Sequence, residues 1–96
     1  MNEEDKKFER TILFNEASRP PYSLPCAAQL VDYIVYGNST GGFLYQVLCN
    51  NLCESAITAD HVNATALSSY GSFLIHHAPA DCFGSEKEVS EWKGIE

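Results

Sequence analysis

From Cys26 to His77 apolar side chains return every three or four residues, the period of a helix face turned towards a core. Ala27, Leu30, Val31, Ile34 and Val35 make the clearest set, with Pro25 suited to a first turn and Gly37 to a C-terminal stop. Asn38 to Gly42 is a turn, Thr40 is the expected cap, and Phe43, Leu44, Val47 and Leu48 open a second face. Leu52, Ala56 and Ile57 continue the helical spacing. Val62, Ala66, Tyr70, Phe73, Leu74 and His77 make a long stripe ended by Pro79, with Asp60 a good cap if a helix breaks there. Ala78 to Gly84 is a loop, and Ser85-x-x-Glu88 matches a capping box ahead of Val89 and Trp92. The expected fold is all-α, a compact bundle of four to five short helices.

The N-terminal part reads less regularly. Met1 to Arg10 is a polar lead-in whose order the sequence leaves open, and residues 11–96 form the single helical domain. Thr11 to Phe14 is an apolar run too short to assign to strand or helix. Arg19-Pro20-Pro21-Tyr22-Ser23-Leu24-Pro25 reads as an extended, Pro-rich segment, because each proline restricts itself and the residue before it.

Ninety-six residues bury too small a share of their surface for a generous core, so a homo-oligomer, most simply a dimer, is expected. The net charge of −7 argues against nucleic acid as a partner, since phosphate-backbone binding draws on Lys and Arg. Here Pro20 to Glu86 contains neither. No apolar run is long enough for a membrane span, and MNEEDKKFER lacks the pattern of a secretion signal, so a cytoplasmic protein is expected. Cys26, Cys49, Cys53 and Cys82 then read as reduced structural thiols. No Cys-x-x-Cys pair supports a metal site, and Cys49 and Cys53 would share a face of one helix. No cofactor is implied.

Catalysis lacks a linear signature. His61, His76 and His77 lie on ordinary helical spacing, with His77 expected on the buried stripe beside Phe73 and Leu74. Asp32, Glu54, Asp60 and Asp81 do not pair by spacing. The expectation is a non-enzymatic protein. The sharper feature is Thr40-Gly41-Gly42-Phe43-Leu44 at a helix start, where free N–H groups and bare backbone suit an anion, although the same glycines serve a plain turn and no Walker-type Lys is present. The candidate ligand-binding residues are therefore Asn38, Ser39, Thr40, Gly41, Gly42 and Phe43, with Arg19 the nearest cation in sequence. Lys87 and Lys93 are the alternatives. Tyr22, Tyr33, Tyr36, Tyr45 and Tyr70 could stack on a base or pack in the core.

Leu24-Pro25, Thr40-Gly41-Gly42-Phe43-Leu44, Val47-Leu48, Asn50-Asn51-Leu52, Ala78-Pro79 and Cys82-Phe83-Gly84-Ser85 with Val89 and Trp92 together resemble a family of short phage and prophage proteins. The likeness runs roughly from Tyr22 to Trp92. It departs where the family has Asn-Asp-Leu and Cys-Trp-Gly-Ser. The resemblance implies a setting, an infected bacterial cell, and no catalytic residue. Three functions suit that setting: sequestration of a small nucleotide-like host immune signal in a pocket between subunits, inhibition of a host protein by an acidic docking protein, and a small enzyme.

Overall fold

The computed structural model describes residues 2–95; Met1 of the lead-in and Glu96 of the domain lie outside them. Among the described residues the chain is all-helical. It forms α1 (Glu3–Ser18), α2 (Ala27–Tyr36), α3 (Gly42–Leu48), α4 (Leu52–Thr58), α5 (His61–Thr65), α6 (Leu67–His77) and α7 (Glu86–Glu91), with a 3-10 turn at Ala80–Cys82. Seven helices replace the expected four to five because two runs that read as continuous are broken. At the first break Asn50 adopts a left-handed φ of 63° and the Asn51 side chain caps α4 by accepting from Glu54 N. At the second, Ala66 leaves the helical region between α5 and α6.

Most of the lead-in is helical: Asn2 caps α1 by accepting from Asp5 N at 2.8 Å, and Glu3, Glu4 and Asp5 sit where the helix dipole favours acids. Thr11 to Phe14 lies within the same helix, which buries Leu13 and Ala17 against α2. Arg10 pairs with Asp32 at 2.9 Å across these two helices. Both side chains are about one-third exposed, so the pair adds at most about 1 kcal/mol. Between the helices, Leu24 N donates to Ala17 O at 2.8 Å and Ser23 N to Arg19 O at 3.0 Å, which turns the chain at the prolines.

α2 runs through the centre and buries Ala27, Leu30, Val31, Tyr33, Ile34 and Val35. Leu44, Leu48, Tyr70, Phe73, Leu74 and Cys82 close over it. Each fully buried large side chain contributes on the order of 1.5–3 kcal/mol. Polar atoms inside this core are satisfied: the Tyr70 hydroxyl donates to Asn63 Oδ1 at 2.7 Å and accepts from Cys26 N at 3.0 Å, while the Tyr33 hydroxyl donates to Cys82 O at 2.7 Å. Two of the five tyrosines are thus committed to the core.

The C-terminal strip, residues 92–95, closes the end of α2. The Trp92 indole donates to Tyr33 O and Ile34 O, each at 3.1 Å, and Ile95 N donates to Val35 O at 3.1 Å. This close approach requires two glycines. A Cβ on Gly37 (φ 75°) would lie 2.6 Å from the Lys93 carbonyl carbon, and one on Gly94 (φ 100°) 2.5 Å from Val35 O.

Candidate functional site

The turn from α2 to α3 and the C-terminal strip face each other across an open cleft of about 540 Å³. One wall is Gly37, Ser39, Thr40, Gly41 and Gly42; the other is Val89, Ser90, Trp92 and Lys93, with Tyr33 and Tyr45 between them. Each wall follows from local chemistry. Left-handed Gly37 ends α2 by donating its N–H back to Tyr33 O at 2.9 Å, which throws Ser39 and Thr40 outward. The second wall is held by the Trp92 indole and by the Ser85 cap of α7, whose hydroxyl both accepts from Glu88 N and donates to the Glu88 carboxylate. That contact draws the Glu88 carboxyl below its ordinary range.

Of the sequence-derived set, Ser39, Thr40, Gly41 and Gly42 come together in the cleft. Asn38 adjoins them on the exposed turn and does not line it. Phe43 points inward, with its ring edge-on to Tyr70 at 5.4 Å. Arg19 lies elsewhere: it is exposed at the end of α1 and pairs with Glu16. The cation that lines the cleft is Lys93, which is exposed and makes no ion pair among the described residues. Thr40 is not the cap of α3. Gly41 holds that position, without a side-chain bond, and the N–H groups of the first helical turn have no partner within the helix. A Cβ on Gly41 or Gly42 would meet nothing within 4 Å, so the backbone there borders open space.

The cleft carries no activated nucleophile. The nearby Cys49 thiol is pushed above its ordinary value by burial, which outweighs the lowering effect of its contact with Tyr45, and the Tyr45 phenol is raised in turn by Cys49. Raised thiols are poor thiolates. The histidines are dispersed. His61 opens α5, His76 Nδ1 lies 2.8 Å from Ser72 O on its own helix, and His77 stacks on Phe73 at 5.2 Å. His77 is exposed where the stripe predicted burial, because Tyr22 and Glu16 cover only part of its ring. Cys49 and Cys53 share no helix, since the Asn50–Asn51 break falls between them. All four thiols are free, and among the described residues no three His, Cys, Asp or Glu side chains are grouped to hold an ion.

A second concavity, about 500 Å³, runs between α3, α4 and α6. Its rim carries Leu52 and Ile75, 71% and 72% exposed, and its lining contains no charged residue. Leu52, Ala56 and Ile57 keep the helical spacing of the segments that do face the core. The structure turns all three to solvent and buries Ser55, whose hydroxyl is satisfied by Asn51 O at 2.7 Å. Periodicity reveals an apolar face and says nothing about which neighbour covers it.

No known protein family, curated protein or solved structure matches this chain. No helix among the described residues is long and apolar enough to cross a membrane.

Proposed function

We propose that the protein is a non-enzymatic phage accessory protein that sequesters a small nucleotide-like host signal in the cytoplasm of an infected bacterium. The observation that carries the reading is the cleft, in which bare backbone at Gly41 and Gly42 faces Trp92 and the unpaired Lys93. Phosphate would be met by the Lys93 ammonium, the hydroxyls of Ser39, Thr40 and Ser90, and free N–H groups. A base would lie against the Tyr45 or Trp92 ring. A protein of net charge −7 gains nothing from long-range steering of an anion, and affinity here rests on short-range donors.

Calorimetric titration with linear and cyclic dinucleotides tests the reading. Lys93→Ala should weaken binding by about 1.5–3 kcal/mol, the scale of a hydrogen bond to a charged group. Gly42→Ala should weaken it by crowding without lowering the melting temperature, because neither φ nor neighbours oppose a methyl group at that position. Arg19→Ala is the control and should leave binding intact. Absence of nucleotide binding, or binding indifferent to both Lys93 and Gly42, overturns the proposal.

A second reading, docking on a basic host protein, is favoured by one observation. Glu3, Glu4 and Asp5 on α1, and Glu86, Glu88 and Glu91 on α7, stand on capped helices instead of solvated tails. Charge reversal at Glu3 and Glu4 would abolish anti-host activity under that reading and spare it under the first.

A further inference from the structure

We infer that the uncharged groove between α3, α4 and α6 is where two copies of this chain associate, the outer row of α4 from one copy seating in the groove of the other. Three observations carry this, and none depends on the ligand cleft.

α4 is built inside out. Ser55 is its one buried residue, while Leu52 and Ile57 are 71% and 74% exposed, Cys53 and Ala56 lie outward beside them, and the exposed Glu54 flanks the row on its Ile57 side. A seven-residue helix has little stability of its own, and one that buries a serine gains little from its own chain. Apolar rows of this kind on a small soluble protein mark a contact surface.

The same region supplies both halves of an isologous contact. The projecting half is Leu52 and Ile57. The receiving half is floored by the small residues Ser55, Ser68 and Gly71 between the apolar walls of Val47, Leu74 and Phe83. A Cβ on Gly71 would meet nothing within 4 Å, so the missing side chain is what keeps the floor open. In a two-fold pair each copy offers the row and the groove at once.

Charge selects the occupant. With a net charge of −7, two copies repel each other wherever their acids meet, and a face without charged lining is one they can share. A basic partner would find no carboxylate in the groove to hold it. An acidic partner would find no cation, since neither Lys nor Arg occurs from Pro20 to Glu86.

Sedimentation equilibrium of the full chain decides the matter. The wild type should sediment at twice its 10.6 kDa mass at high micromolar concentration. Leu52→Glu, exposed and therefore free to fold, should weaken self-association by at least about tenfold, as should Gly71→Leu, which fills the groove from the other side. Circular dichroism should show both variants as helical as the wild type. Phe8→Glu, at an apolar residue 66% exposed on α1 that does not line the groove, should change nothing. A wild type that stays monomeric overturns the proposal and leaves the groove to a different protein. A dimer that survives Leu52→Glu and Gly71→Leu, or that dissolves with Phe8→Glu, overturns it as well. Dinucleotide binding by the monomeric variants is the separate readout of the cleft, so failure of one reading leaves the other standing.

Discussion

Trp92 donates its indole N–H to the carbonyl of Tyr33 at 3.1 Å, across 59 residues of chain, and shares it with the carbonyl of Ile34. The last carbonyls of an α-helix run short of helical partners; here Tyr33 O already accepts from Gly37 N at 2.9 Å, and the Trp92 indole adds a second donor there while also supplying Ile34 O. The same contact holds the strip of residues 92–95, which forms one wall of the cleft, against the end of α2.

Trp92→Phe keeps an aromatic ring, removes the donor and gives up part of the indole's bulk. It should destabilise the protein by about 1–3 kcal/mol, since Ile34 O loses its indole donor while Tyr33 O keeps Gly37 N. Urea denaturation measures this. A midpoint equal to that of the wild type would show that water replaces the indole.

Tyr70→Phe removes a fully buried hydroxyl that joins Cys26 N to Asn63 Oδ1. Both partners are left without it in a closed space, and a loss of about 1–3 kcal/mol is expected. Amide exchange at Cys26 should accelerate more than the global change in stability explains.

Alkali should unfold the protein through three buried acids. Burial pushes the Cys82 thiol up to about 12 from 9.0, and raises the Tyr33 and Tyr70 phenols well above 10.0. In the unfolded chain these groups ionise at ordinary values while the folded chain keeps their protons. Their stabilising contribution is therefore whole below about pH 9 and declines as pH rises, first through Cys82 and more steeply once the tyrosines join. Urea midpoints measured from about pH 8 to about pH 10.5 should fall with this curvature, and Cys82→Ala should flatten the early part.

Glycine substitutions should sort by what a methyl group meets. Gly37→Ala and Gly94→Ala combine left-handed backbone with collisions of 2.6 and 2.5 Å against main chain, and each should cost about 1–3 kcal/mol or more. Gly71→Ala adds a methyl group to a helix interior in open space and should raise stability by about 0.5–1 kcal/mol. Thermal melts of the three variants give the comparison.

What could be read from sequence was local. α2 follows from the spacing of Leu30, Val31, Ile34 and Val35 with Gly37 as its stop, and the caps at Asp60 and Ser85 were legible because the bonds they make span three residues. The Asn50–Asn51 break was less visible. Leu48 and Leu52 keep helical spacing across it, and only the paired asparagines, one suited to left-handed backbone and one to a cap, signalled an interruption. Ser39 to Gly42, singled out by composition, do line one cleft together. Of the three cations named from sequence, Lys93 lines the cleft and Arg19 does not, because proximity along the chain does not measure proximity in space. The outward turn of Leu52 and Ile57 had no sequence signal, since it depends on what α4 lacks as a neighbour.

The clasp of residues 92–95 on α2 also sets an order of events during synthesis. Tyr33 and Ile34 are made nearly sixty residues before the indole that occupies their carbonyls, and Val35 waits equally long for Ile95. A nascent chain that stops at α6 has its central helix but not the piece that finishes it. Such a fragment holds an incomplete core, with the Ile34 and Val35 carbonyls still short of the partners they find in residues 92–95, so completion of the fold waits until that strip has been translated. A message truncated even a few codons before Trp92 would yield a chain for proteolysis rather than a shorter working protein.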